Sequence, residues 1–209
     1  MTEQPGYDAL AGLYDETFPE AFGSATERAA VDLFVERIRA LGTTGPVIDV
    51  GCGTGHQVQH LASKGIDVVG VDPSGPMLER ARRRFPDLTF VQDDALLDAV
   101  DIDQVAGILA RFSLIHVPPD EIADVLASWA ERLVPGGVVL VAFQALGAGD
   151  AGDVEEFDHA VARAWRWRPD AMADALSGAG IRERWRLVEQ PSEGFHRFPE
   201  CHVLGVRSG

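Results

Sequence analysis

The chain has little sulfur, almost no lysine and no long apolar run. Cys52 and Cys201 are its two cysteines. Two thiols make no disulfide framework and cannot by themselves form a four-ligand zinc site. No apolar stretch approaches the roughly 18 residues needed to cross a bilayer. The opening Met-Thr-Glu-Gln-Pro-Gly lacks the basic start and apolar run of a signal peptide. These absences lead us to expect a cytoplasmic protein. Positive charge is scarce too: 18 Lys and Arg stand against 33 Asp and Glu, a formal net charge of -15, and Lys64 is the lone lysine. A field of that sign repels phosphate backbones and anionic lipid, which argues against nucleic-acid and membrane partners. The basic run Arg82-Arg83-Arg84 reads as a solvated helix end.

What is present is an ordinary globular composition, 46% hydrophobic and 24% charged over 209 residues. That length fills one core and falls short of two ordinary domains, so we expect a single domain over 1–209. Residues 7–41 read as helical, with Ala30, Leu33, Phe34, Ile38 and Leu41 on one face. Strands are expected at 47–50, 67–71, 88–91, 105–110 and 138–143, with helices at 56–63, 74–84 and 119–133 between them. Beyond a flexible link at 147–153, residues 154–165 show no clean period. A helix at 169–179 and two strands at 182–188 and 201–206 complete the chain. The expectation is an α/β fold: a doubly wound, seven-stranded, mostly parallel, Rossmann-like sheet with an antiparallel C-terminal hairpin strand and N-terminal lid helices.

The informative stretch is Val47-Ile-Asp-Val-Gly-Cys-Gly-Thr-Gly55. A strand that runs straight into glycines turns tightly and lets a ligand approach the main chain, because glycine has no Cβ and tolerates positive φ. The next helix then offers free N–H groups and a partial positive charge. The dinucleotide fingerprint G-x-G-x-x-G/A fits less well, since it puts His56 where a small residue belongs.

The pattern resembles the class I S-adenosylmethionine (SAM)-dependent methyltransferases, over roughly residues 45–145. Asp49, Gly51, Gly53 and Gly55 match the family's first motif, and the resemblance implies that this turn, with Cys52, embraces the amino-acid end of SAM. The family's acidic residue ending the second strand falls on Asp72, 21 positions after Gly51. The implied role is to accept hydrogen bonds from the ribose hydroxyls, with Pro73 and Met77 beside the cofactor; by itself Asp72 also reads as a helix cap. Asp94 and Ala95 match the family's adenine-binding Asp-Ala, with Asp93 in place of the usual glycine. Ala110, Arg111, Phe112 and Ser113 end the fourth strand and should line the crevice near the expected sulfonium. Arg111 reads equally as a partner for a substrate carboxylate and as a surface salt bridge. Tyr7 and Tyr14 lie in a Tyr-Asp-x-x-Ala-x-x-Tyr-Asp pattern similar to the family's lid helix, where Tyr14 would reach the methionine end. On this resemblance residues 1–44 form the lid, 45–145 the SAM-binding core and 146–209 the acceptor side.

The implied reaction is methyl transfer from SAM to a small-molecule acceptor at O, N or C, possible in secondary metabolism, releasing S-adenosylhomocysteine (SAH). His116, after the fourth strand, is the candidate base, with packing or a backbone contact as its other reading. His159 and His196 are further candidates. Phe143, Trp167 and His196, with Trp165, Phe195 and Phe198 nearby, are expected to shape the acceptor pocket, with core filling as their other reading, the one preferred for Trp185. A monomer or a homodimer fits. Three alternatives remain: a SAM enzyme of this fold running another reaction, an NAD-dependent oxidoreductase, and a non-catalytic SAM-binding partner.

Overall fold

The computed structural model describes residues 5–17, 20–42, 45–191 and 197–209. Two helices, α1 (Pro5–Thr17) and α2 (Ala25–Leu41), replace the single helical run expected over 7–41. The cause is local. Ser24 is an extended N-cap whose hydroxyl accepts from Glu27 N at 3.1 Å, and the Glu27 carboxylate accepts from Gly23 N at 2.8 Å. Helix α2 buries Glu27, Ala30, Val31, Phe34, Val35 and Ile38, whereas Leu33 is exposed.

Strand and helix then alternate: β1 (Val47–Val50), α3 (His56–Ser63), β2 (Val68–Asp72), α4 (Gly75–Arg84), β3 (Thr89–Gln92), β4 (Val105–Arg111), α5 (Ile122–Arg132) and β5 (Leu133–Gln144). The pair β6 (Val154–Phe157) and β7 (Ala164–Trp167) follows, then α6 (Pro169–Gly178), β8 (Ile181–Glu189) and β9 (Glu200–Arg207). The main sheet has seven strands in the order β3-β2-β1-β4-β5-β9-β8. β1 to β5 pair in parallel, and β9 runs antiparallel to both β5 and β8. This is the expected doubly wound sheet, and the order reverses between β1 and β4, the switch point where such sheets open a crevice.

Each face has its own core. One gathers α5 and α6 residues, including Trp129 and Leu176, over Ile48, Ile108 and Val139. The other packs Phe34 and Ile38 of α2 and Leu61 of α3 onto Val47, Leu109 and Leu140. Alternate residues of one strand therefore serve opposite faces. Helix α5 also ties down the loop after β3: Trp129 Nε1 donates to Ala95 O, and Ser128 Oγ to Leu96 O, both at 2.7 Å. The β6–β7 hairpin was not expected from the sequence; it stands outside the main sheet and touches it through a bridge from Ala145 to Trp167.

Candidate functional site

Strand β1 delivers the chain into its glycine turn beside the switch point. Gly51, Gly53 and Gly55 have φ of 75°, 53° and 84°, conformations that side chains with a Cβ rarely adopt. Gly51 N and Cys52 N both donate to Val71 O, at 2.7 and 3.0 Å, which pins the turn onto β2. A Cβ at Gly51 would overlap the side chain of Ser113. Gly55 has a different task from the one expected. It caps α3 and packs under the Phe90 ring, off the cavity wall.

Two carboxylates flank the turn. Asp72 Oδ2 accepts from Gly53 N at 2.8 Å and its Oδ1 from Ser74 N at 2.9 Å. Ser74 is the N-cap of α4, and its hydroxyl donates to Asp8 of α1 at 2.6 Å. Asp72 therefore organises the helix start while lining the cavity, so the two readings of this residue coexist. Burial pushes its carboxyl up to about 6, against the pull of both N–H groups. Asp49 is 2% exposed, and its Oδ2 is buried with no hydrogen-bond partner. Burial lifts it to about 7; Arg111 opposes the rise and Asp72 adds to it. Of the neighbouring acids, Asp93 accepts from Asp94 N and Ala99 N with its two oxygens and so holds the loop, and Asp94 accepts from Leu96 N.

These groups open onto one cavity of about 610 Å³. Asp49, Gly51, Cys52, Gly53, Asp72, Pro73, Met77, Asp94, Ala95, Arg111, Phe112 and His116, all expected at the site, line it. Phe112 takes φ of 53°, a strained turn at the end of β4 that faces the crevice. Arg111 is not the surface salt bridge that was one of its two readings, because it is buried with its partner. Its guanidinium forms an ion pair with Glu27, donates to Ala21 O at 3.1 Å and lies 5.5 Å from the Phe22 ring centre. It thereby fastens the α1–α2 connection over the site.

The opposite wall comes from distant segments. Tyr7 Oη lies 2.9 Å from His116 Nε2, and His116 Nδ1 lies 2.8 Å from Arg163 O. Burial lowers His116 to about 4, so the ring is neutral at physiological pH. His159 meets His116 edge to face, with ring centres 4.9 Å apart. Three further expected residues lie elsewhere. Ala110 and Phe143 are fully buried in the α5-face core, and Trp167 joins that core with 6% exposure; none of the three lines the cavity. Strand ends bury apolar side chains in core and pocket alike, so sequence could not separate these. The side chain of Tyr14, and all of Phe195 and His196, lie outside the described residues. Ser113 lines it as expected, and Glu27, Gln57, Gln144 and Glu200 line it without having been expected. Ser24 with Glu27 three residues on was the one legible signal among them. Burial and the nearby carboxylates of Glu27 and Glu189 raise Glu200 to about 7.

Residues 47–137 match the family model described as a methyltransferase domain. The chain is thus similar to a methyltransferase domain from β1 to the start of β5. It is 36% identical over 97 residues to a dTDP-3-amino-3,4,6-trideoxy-alpha-D-glucopyranose N,N-dimethyltransferase of Streptomyces venezuelae, a match covering 46% of this chain and 40% of that one. An indolepyruvate C-methyltransferase of Streptomyces griseus is 27% identical over 161 residues, 73% of this chain and 49% of that one. The chain thus matches about half the length of these curated relatives. Among solved structures, Streptomyces venezuelae DesVI superposes with a TM-score of 0.71 at 22% identity, over 95% of this chain and 98% of the other. Magnesium protoporphyrin IX methyltransferase from Synechocystis PCC 6803, with bound SAH, gives 0.72 at 18% identity, over 98% and 97%.

The residues present fit SAM. The bare turn at Gly51 gives room that a side chain would fill, and Asp49 presents a buried carboxylate oxygen that calls for a cationic donor. Asp72 keeps lone pairs for vicinal hydroxyls. Eight carboxylate residues line the cavity against Arg111, a balance that favours a cationic ligand. At the third place of the dinucleotide fingerprint, His56 opens α3 with its ring against Phe85.

Proposed function

We propose that the protein is a SAM-dependent methyltransferase acting on a small molecule. The observation that carries this reading is Asp49, whose buried oxygen has no partner on the wall of the cavity beside the glycine turn. Bound SAM supplies a methyl group on a positively charged sulfur, already activated for displacement. The chain's own work is then to bind, orient and exclude water. Gly51 and Gly53 open the main chain to the cofactor's amino-acid end, Asp49 takes its ammonium group, and Asp72 holds the sugar hydroxyls. Asp94 and Ala95, braced by Trp129, take the base. The α1–α2 connection closes over the site through Arg111 and through Gln57, which donates to Ala21 O.

The first test is calorimetry with SAM on the wild type and on Asp72→Ala. Losing a charged hydrogen-bonding partner weakens binding by about 1.5–3 kcal/mol. Equal affinity for the two proteins would remove Asp72 from the cofactor site. Detection of SAH on incubation with an acceptor separates methyl transfer from other SAM chemistry on this fold.

A further inference from the structure

We propose that the acceptor lies over the ends of β4 and β5, held by Ser113, Gln144 and the Nε–H of Arg111, and that it is an uncharged molecule with neighbouring hydroxyl groups, a sugar or cyclitol in chemical class. This rests on the methyltransferase reading and names the substrate class of the same cavity.

The cavity divides along the sheet. Asp49 lies on β1, Asp72 ends β2 and Asp94 follows β3, so the groups proposed to hold SAM stand on one side of the switch point. Arg111 ends β4, Ser113 comes two residues later, and Gln144 ends β5 on the other side. These two strands are neighbours, with Arg111 opposite Ala142, and Gln144 in turn stands opposite Glu200 of β9. Adjacent strands lie about 4.8 Å apart, so one six-membered ring reaches both ends. Ser113 also marks the junction of the two halves, because a Cβ at Gly51 would overlap its side chain.

Among the described residues, Ser113 Oγ, Gln144 Oε1 and Arg111 Nε are each buried without a hydrogen-bond partner. The other two guanidinium nitrogens of Arg111 are taken by Glu27 and Ala21 O. All three residues line the cavity. Polar groups held this way cost stability, and folded proteins leave few of them unexplained. A ligand seated on this stretch of wall accounts for all three together.

Their chemistry selects its class. Gln144 Oε1 only accepts, Arg111 Nε only donates, and Ser113 Oγ does either. A phosphate or carboxylate has no hydrogen to give Gln144, and an ammonium group cannot take one from Arg111. A hydroxyl does both. Groups spread over two strand ends call for more than one hydroxyl, which a sugar or cyclitol ring carries on neighbouring carbons. Charge argues the same way against an anion, since the Arg111 cation is already balanced by Glu27 and Glu200 stands beside Gln144. Ser113, Gln144 and Arg111 are thus specificity residues that orient the acceptor.

The probes are methyl β-D-glucopyranoside and cis-cyclohexane-1,2-diol, each set against its fully O-methylated ether, with cyclohexylamine and cyclohexyl phosphate as charged controls. Binding to the SAH-saturated full chain is followed by ligand-observed NMR titration. We expect both hydroxylated probes to bind, at least about tenfold more tightly than their ethers and than either charged control. Gln144→Leu should weaken their binding about tenfold, and Ser113→Ala about threefold. Gln144→Glu keeps an accepting oxygen and should retain most of the affinity, a recovery that a packing role would not produce. Gln144→Leu should also melt no lower than the wild type, because the oxygen it removes has no partner. Equal binding of an ether or a charged control would overturn the proposal. So would failure of both hydroxylated probes to bind while SAH binds, or undiminished binding in both Gln144→Leu and Ser113→Ala. Absence of SAH binding in the wild type would instead remove the methyltransferase reading, and this proposal with it.

Discussion

At the scale of single residues, the site is governed by what burial does to charge. Asp49 and Asp72 are carboxylates held where their ionised forms are poorly solvated, at about 7 and about 6. For Asp49, the folded chain keeps a proton between pH 3.8 and about 7 that the unfolded chain has released. The stability of the ligand-free protein therefore falls as pH rises through that window. Cofactor binding has the opposite sign, because an ammonium group prefers the ionised carboxylate. We expect SAH affinity to tighten from pH 6 to pH 8 and the dependence to flatten in Asp49→Asn. Calorimetry in matched buffers checks it, and a wild-type affinity independent of pH would separate Asp49 from the ligand.

At the scale of elements, the glycine that matters most outside the first motif is Gly6, at the start of α1. Alanine usually favours a helix over glycine by up to about 1 kcal/mol, but overpacking costs about 1–3 kcal/mol. Here the obstacle is the Val161 backbone carbonyl, not a flexible side-chain end. Packing should win. Gly6→Ala is expected to lower the melting temperature and to reduce methyl transfer, as α1 lifts from the hairpin loop and carries Tyr7 away from His116. A variant with unchanged melting and turnover would show that this contact bears no load.

The same scale explains what was legible beforehand. β1 and α3 fall where the apolar run and the glycines put them, at Val47–Val50 and His56–Ser63, because each is specified by neighbouring residues. The cofactor end of the site was readable for the same reason: Asp49 and Gly51 share one turn, and Asp72 ends the adjacent strand. The β6–β7 hairpin was not readable, since Val154-Glu-Glu-Phe157 lacks the alternation of a half-buried strand. Both strand residues at 165 and 167 are buried, and the partners that bury them are distant in sequence. The opposite wall failed to show for a related reason. Tyr7, His116 and His159 come from three segments, and nothing local to any of them announces that they meet.

At the scale of the molecule, the cavity lies where several parts that are separate in the chain converge. Its floor is the carboxyl end of the sheet, one side is the α1–α2 connection fastened by Arg111, and the roof joins α1 to the hairpin loop. A ligand that fills this space touches several of these elements at once. Ligand binding to the folded state alone adds RT ln(1 + [L]/Kd), about 2.7 kcal/mol at a hundredfold excess over Kd. For a chain of this size each kcal/mol moves the melting temperature by about 2–4 °C. SAH at that excess should therefore raise it by about 5–10 °C, while NADH at the same concentration should leave it unmoved, since the turn lacks the small third residue that a dinucleotide pyrophosphate requires. Scanning calorimetry of the full chain with each ligand decides the matter. A larger shift with NADH than with SAH would return the glycine turn to the dinucleotide-binding enzymes.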